Sequence, residues 1–188
     1  MQEASTTSGE PPRPGPQRLR TEPAPAPHPV RPTLAFMRPR LSRWIAFGFG
    51  SGLSPVAPGT VGTLWAWAVF ALLDPWLADA AWWAFIAGGF ALGCWACGRV
   101  GRDLGVSDHG GMVWDEVIAF WAVLLLVPSS FAAQLAAFFL FRAFDVIKPP
   151  PIRQLDRSVH GGFGVMLDDA VAAFYTVLVF ALWIGVFG

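Results

Sequence analysis

Long apolar runs separated by short polar joints dominate the chain after residue 43. Ala, Leu, Phe and Trp predominate in five of them, at about residues 60–73, 79–97, 114–127, 131–144 and 169–187. The runs lack the Gly and Asn punctuation of β-hairpins, so we expect helices. Two approach the roughly 20 residues that a bilayer core requires, and three of about 14 residues are short for a full span. The pattern predicts an all-α, polytopic helical membrane protein with about five short apolar helices.

The composition narrows the class of protein further. Of the 188 residues, 54% are hydrophobic and only 14% are charged, which is too apolar for an ordinary soluble domain. The formal net charge is zero, so the overall charge indicates no nucleic-acid partner. Cys94 and Cys97 form a CxxC pair, a pattern that redox and zinc sites share. Because their neighbours are apolar and no second pair exists, we interpret them as small helix-packing residues.

Residues 1–40 differ in kind from the rest of the chain. Ten of the 17 prolines lie there, in a segment that cannot bury enough surface to offset its ordering entropy. We therefore predict a disordered Pro/Arg-rich tail over residues 1–40 and a membrane-embedded helical domain over residues 41–188. The tail lacks the apolar core of a signal peptide.

Basic residues mark one side of the predicted helices. Outside the tail they lie in or beside three alternate joints: Arg43, Arg99, Arg102, Arg142, Lys148, Arg153 and Arg157, with Arg38 and Arg40 just before the first. The opposite joints, at residues 74–81 and 128–134, contain none. This positive-inside pattern predicts a cytoplasmic N-terminus and an external C-terminus.

Acidic residues from three helices come to the same predicted cytoplasmic face. Asp115 and Glu116 begin the third run, Asp145 ends the fourth, and Asp168 and Asp169 begin the fifth. The helix dipole favours acids at an N-terminus by about 0.3–1 kcal/mol, but Asp145 lies at a C-terminus. Five converging carboxylates repel one another, and Mg²⁺, which binds carboxylate oxygens, would offset that repulsion. We predict that all five surround Mg²⁺ and that Asp115, Glu116 and Asp145 act in catalysis.

Charge balance by neighbouring cations is the alternative explanation of these acids. Arg142, Lys148 and Arg153 lie on the same face, where they could neutralise carboxylates or bind the phosphates of a substrate. His160 is a candidate acid or base, although a lone loop histidine is usually just solvated.

A glycine-rich segment at residues 47–63 ends at the start of the first apolar run. Free backbone N–H groups at a helix N-terminus bind phosphate. We therefore predict Gly50, Ser51 and Thr60 as substrate contacts, although glycines equally permit close helix packing.

Four blocks of the sequence resemble, in order and spacing, the phosphatidylglycerophosphatase A family: GFGSGLSPVAPGTVGTL, DHGGMVWDEVIAFW, FRAFDVIKPPPIRQLD and HGGFGVMLDDAVA. The resemblance covers about residues 44–187. It implies a Mg²⁺-dependent phosphatase of the bacterial inner membrane that converts the anionic lipid phosphatidylglycerophosphate to phosphatidylglycerol. The family's motif acids would be Asp115, Glu116, Asp145, Asp156, Asp168 and Asp169.

Other functions remain compatible with the sequence. The enzyme could act on another lipid phosphomonoester, and either water or an Asp carboxylate could attack the phosphorus. Intramembrane acids also mark ion paths, so an ion-coupled transporter is a second class. The clustering of the acids at one face, with none in mid-helix, argues against it. A non-catalytic scaffold would leave Asp145 unexplained.

Overall fold

Helices form all regular elements in the residues that the computed structural model describes, 32–150 and 152–187. The α-helices are α1 (Leu34–Met37), α2 (Leu41–Ala46), α3 (Pro58–Leu73), α4 (Asp79–Leu104), α5 (Trp114–Leu126), α6 (Phe131–Ile147), α7 (Ile152–Ser158) and α8 (Gly162–Phe187). Short 3₁₀ segments cover Gly48–Leu53 and Asp74–Trp76. The predicted all-α class is confirmed.

The five apolar runs lie in α3, α4, α5, α6 and α8. Two short helices, α1 and α2, precede these runs, and a third, α7, lies between α6 and α8. The described residues thus form eight α-helices where about five were predicted. α4 and α8 are also longer than their apolar runs, with 26 residues each. The more polar residues 98–104 extend α4, whereas residues 162–168, most of which are buried, extend α8.

The CxxC pair lies where α4 meets the first turn of α8. Cys97 is fully buried, and both cysteines are free thiols. A Cβ atom on Gly162 would lie 1.8 Å from the carbonyl oxygen of Cys94, so only glycine permits this approach. The predicted helix-packing role agrees with this geometry.

Two helices, α4 and α8, are long and apolar enough to cross a membrane by length and composition. Only 28% and 17% of their most apolar windows are buried inside the protein. Leu182, Trp183 and Phe187 of α8 are among the large apolar side chains left exposed. Contiguous apolar surface of this kind marks an interaction with lipid or protein. Insertion of the shorter helices in a bilayer stays a prediction.

Helix α5 lies at the centre of the structure, in contact with α3, α4, α6 and α8. It is apolar around its circumference, as expected of a buried helix. The indole N–H of Trp114 donates to the carbonyl oxygen of Gly89 in α4, and that of Trp121 donates to Ala66 in α3, both at 2.9 Å. This burial of α5 carries its first turn, with two acids, into the protein interior.

The segment before the glycine-rich region packs on the C-terminal end of α4. Arg40 and Arg43 each lie 3.0 Å from the carboxylate of Asp103, and the Arg43 guanidinium lies 3.9 Å above the Phe36 ring. Met37 is fully buried. Residues 33–40 therefore pack on the helical domain, although the predicted tail included them; residues 1–31 of that tail lie outside the described residues.

Candidate active site

Three buried carboxylates converge where α5 and α8 begin. Asp115 and Glu116 of α5 are 7% and 8% exposed, and Asp169 of α8 is 2% exposed. One carboxylate oxygen from each lies within 4.8 Å of the others. We call these three residues the acid triad.

Each member of the triad has a buried oxygen without a hydrogen-bond partner among the described residues: Asp115 Oδ1, Glu116 Oε2 and Asp169 Oδ2. Burial raises the pKa of Asp115 well above its usual range, and the charges of Glu116 and Asp169 raise it further. Burial also raises the pKa of Glu116 to about 7, although Arg142 opposes this shift. Unpaired buried carboxylates are costly unless they are protonated or bind a cation. Since the donors are all hard oxygens, the triad fits Mg²⁺.

Asp145 of α6 lies at the rim of the triad. Its Oδ2 is 2.7 Å from Arg142 Nη1, which also donates to Glu116 Oε1 at 3.4 Å. Asp145 is also close enough to Asp169 to interact with it electrostatically. The structure thus brings Asp145 to the cluster, as predicted, through an arginine shared with α5, but outside the group of three converging oxygens.

Asp168 has different partners from its neighbour Asp169. Its Oδ2 lies 2.5 Å from Lys148 Nζ, and its Oδ1 accepts a hydrogen bond from the Asp169 backbone N–H at 3.1 Å. Both of its oxygens therefore face protein donors. Lys148, with a positive φ of 46°, ends α6 and directs its ammonium to α8. The structure places Asp168 as the counter-ion of Lys148 rather than with the triad.

Gly59, in the first turn of α3, packs directly on this site, which sequence reasoning missed. A Cβ atom there would lie 2.2 Å from Glu116 Oε1 and 2.8 Å from Arg142 Nη2. Glycine allows the helix N-terminus, with its unpaired N–H groups, to approach the acids this closely without displacing Glu116 or Arg142. The sequence signal for this helix N-terminus was Pro58 at the start of α3, followed directly by Gly59. Thr60, a predicted substrate contact, follows Gly59 and is half-buried.

Other predicted substrate contacts have separate surroundings. Gly50 has a φ of 108° and open space around its Cα atom, and the Ser51 hydroxyl donates to the Gly48 carbonyl oxygen at 2.8 Å. Arg153 is exposed and donates to the Ile147 carbonyl oxygen at 3.4 Å. Within the part of the chain that the structure describes, Gly50, Ser51 and Arg153 make no hydrogen bond or ion pair with the triad.

His109 and His160 line openings that contain no member of the acid triad. His160 is exposed and lines an opening of about 30 Å³ with Ser107 and Asp108. His109 accepts a hydrogen bond at Nδ1 from the Gly111 N–H at 3.1 Å and lines a groove of about 510 Å³. The side chains of residues 155–157, which include the predicted motif acid Asp156, lie outside the described residues.

Comparison with known proteins assigns the chain to a family. The family model described as phosphatidylglycerophosphatase A matches residues 44–184. A Haemophilus influenzae protein named phosphatidylglycerophosphatase A is 46% identical over 136 residues, which cover 72% of this chain and 83% of that protein. The Escherichia coli protein of the same name is 45% identical over 132 residues, with 68% and 74% covered.

A third relative carries a different name. A Bacteroides thetaiotaomicron protein named putative phosphatidylinositol-3-phosphatase is 38% identical over 145 residues, which cover 73% of this chain and 90% of that protein. No solved structure matches the chain significantly. The resemblance found in the four sequence blocks is confirmed by the match over residues 44–184, and this chain belongs to the phosphatidylglycerophosphatase A family.

Proposed function

We propose that the protein hydrolyses the terminal phosphomonoester of phosphatidylglycerophosphate and releases phosphatidylglycerol and inorganic phosphate. The names of two relatives at 45–46% identity support the reaction. The observation that carries the proposal is the acid triad itself. Asp115, Glu116 and Asp169 are buried together, and each has an oxygen with no donor in the part of the chain that the structure describes. A phosphatase that relies on a bound cation needs such oxygens.

The acid triad is the proposed Mg²⁺ site. When bound there, Mg²⁺ would neutralise phosphate oxygens and activate a water molecule for attack on phosphorus. Asp145 lies at the rim, partly exposed, between Arg142 and Asp169. A carboxylate in that place can orient the attacking water and accept its proton. His160 is a weaker candidate for this role because it is exposed at a different opening.

Arg142 is the residue best placed to bind the substrate phosphate. Its Nη1 holds Glu116 and Asp145, while its buried Nε has no acceptor among the described residues. A phosphate oxygen would supply that acceptor and form a charge-assisted hydrogen bond. The N-terminus of α3 at Gly59 adds backbone N–H groups beside the same arginine. Lys148, paired with Asp168, contributes positive charge at the edge of the site.

We place the site at the cytoplasmic face of a bacterial inner membrane. The basic joints predict this orientation, and α4 and α8 are the candidate spans. A thiol reagent added outside intact cells should label a cysteine introduced at Ala78 and leave one at Ser107 unlabelled. Labelling at Ser107 alone would reverse the orientation.

Hydrolysis of another lipid phosphomonoester is the second candidate function, because one relative is named putative phosphatidylinositol-3-phosphatase. Phosphate release from the purified protein tests both. We would compare phosphatidylglycerophosphate, phosphatidic acid and phosphatidylinositol 3-phosphate at equal surface concentration. We expect phosphatidylglycerophosphate to give the highest kcat/KM. A higher kcat/KM for either of the other lipids would make that lipid the preferred substrate. Absence of phosphate release from all three lipids would favour a transporter or a scaffold.

A further inference from the structure

An apolar slot of about 100 Å³ lies between α4, α5 and α8, and Asp115 forms part of its wall. The remaining lining is apolar, and four small residues on α5 and α8 create the space: Ala119, Ala122, Ala170 and Ala173. A wall that combines alanines with a catalytic-site carboxylate needs an explanation. Water gains little from such a lining, because it requires two to four polar partners.

The slot runs away from the acid triad along the two candidate membrane spans. From Asp115 to Ala122 it follows α5 for seven residues, a rise of about 10 Å. Ala122 is half-buried, as are Ile86 and Phe90 of the α4 wall, so the slot is accessible from outside. Met166, on the α8 wall, is a flexible side chain that can adjust to an occupant. One end of the slot is thus polar and the other is apolar and reachable.

An amphiphilic molecule matches a slot with one polar end and an apolar wall. We propose that the slot receives part of a hydrocarbon chain of the lipid substrate, which enters sideways between α4 and α8 while its phosphorylated headgroup lies at the acid triad. This inference rests on the proposed function, because it takes the substrate to be a lipid phosphomonoester. The alanines of α5 and α8 leave room for methylene groups, whose removal from water is favourable. The protein would thereby select lipid-linked over water-soluble phosphomonoesters.

A second apolar cavity provides the matched control. It has a volume of about 210 Å³, lies between α6 and α8, and is lined by residues that include Ala136, Leu140 and Trp183. No acidic residue is among its lining residues. It is larger than the slot but does not reach the acid triad, so filling it should not change substrate selection.

The experiment fills each cavity and compares two substrates with the same reacting group. Ala122→Leu and Ala122→Phe fill the slot, and Ala136→Leu and Ala136→Phe fill the control cavity. The substrates are dioleoyl phosphatidylglycerophosphate in mixed micelles and its deacylated, water-soluble headgroup. For the Ala122 variants we expect kcat/KM on the lipid to fall about tenfold, the effect of roughly two buried methylenes, and on the headgroup to stay within about twofold. The Ala136 variants should change neither value.

Three results would overturn the inference. The first is an equal loss on both substrates in Ala122→Leu and in a second filling variant, Ala170→Leu, which would assign the slot to packing alone. The second is unchanged activity on both substrates with a higher melting temperature, which would identify a void. The third is the same selective loss in the Ala136 variants. Wild-type protein that releases phosphate from neither substrate would instead reject the proposed function.

Discussion

Two clusters at one end of the helices combine arginines with carboxylates, but they differ in how completely the carboxylates are paired. At the end of α4, the Asp103 carboxylate receives hydrogen bonds from both Arg40 and Arg43. At the start of α5 and α8, one arginine, Arg142, pairs with Glu116 and Asp145, and each triad carboxylate keeps one oxygen without a donor among the described residues. The first cluster is matched and partly exposed, whereas the second is unmatched and buried.

The difference separates a structural use of charge from a functional one. A surface ion pair adds at most about 1 kcal/mol to the free energy of unfolding, so its loss changes stability only slightly. Buried carboxylates without partners oppose folding, so their retention calls for a ligand that compensates them. The contrast between Asp103 and the triad therefore predicts which changes alter activity and which alter only stability.

Removal of the metal should have the largest effect. We expect a thorough chelator treatment to abolish phosphate release and added Mg²⁺ to restore it, with Ca²⁺ less effective because it prefers more ligands at longer distances. Mg²⁺ should also raise the melting temperature, since a ligand that binds the folded state stabilises it. The matched Asp103 cluster has no such requirement, so an Asp103→Asn variant should show the same Mg²⁺-induced shift. Full activity after chelation would contradict the assignment.

Substitution of single acids, at the centre or at the rim of the site, should have the second-largest effect. We expect Asp115→Asn and Asp145→Asn each to lower kcat by about 10²-fold or more, which corresponds to about 2.7 kcal/mol in the barrier. Only Asp115→Asn should also lose the Mg²⁺-induced rise in melting temperature, because Asp145 lies outside the three converging oxygens. Asp74→Asn, in the exposed segment beyond α3, is the control.

Two outcomes would break that assignment. Loss of the Mg²⁺-induced shift in Asp145→Asn, with its retention in Asp115→Asn, would move the metal to the rim. Near wild-type activity in Asp145→Asn together with a large loss in Asp74→Asn would mean that the site lies elsewhere.

Gly59→Ala should have a smaller but clear effect. The added Cβ atom would meet Glu116 Oε1 at 2.2 Å and Arg142 Nη2 at 2.8 Å, so both side chains must shift. Since small displacements of catalytic groups are costly, we expect kcat/KM to fall by about 10- to 10²-fold. Gly50→Ala is the comparison, because its surroundings are open, although its φ of 108° adds backbone strain. A loss of phosphate release in Gly59→Ala no larger than that in Gly50→Ala would show that contact with Glu116 and Arg142 does not set Gly59 apart.

The helices themselves could be predicted from the sequence because their apolar runs are continuous. The grouping of acids from α5, α6 and α8 followed from the same reading, since helix order and charge placement set which ends meet. The different surroundings of Asp168 and Asp169 could not be predicted from the sequence. Adjacent helical residues point about 100° apart, and only the packing of α8 decides which one faces Lys148 and which one faces the triad.

Contacts between segments distant in sequence were also beyond prediction. The glycine-rich segment suggested phosphate binding or close packing equally, and the structure shows close packing at several glycines, with Gly59 against the site itself. A Cβ atom on Gly52 would lie 2.0 Å from the Gly111 carbonyl oxygen. Such approaches depend on how the segment Gly48–Leu53 and α3 meet α5 and the loop before it, which a single sequence does not reveal. Residues 33–40 were likewise assigned to the tail on their proline content, because the sequence does not reveal that Arg40 pairs with Asp103, 63 residues away.

The smallest expected effect belongs to the matched cluster. Asp103→Asn removes one charge that two arginines share, at a carboxylate that is 19% exposed, so solvent screening limits the loss to about 1 kcal/mol of unfolding free energy. For a chain of this size we expect the melting temperature to fall by about 2–4 °C. The difference from the wild type should shrink in high salt, which screens exposed charges. Phosphate release should stay within about twofold of the wild type. A loss of activity as large as that of Asp115→Asn, without a larger loss of stability, would show that both clusters serve the reaction and that charge matching does not separate them.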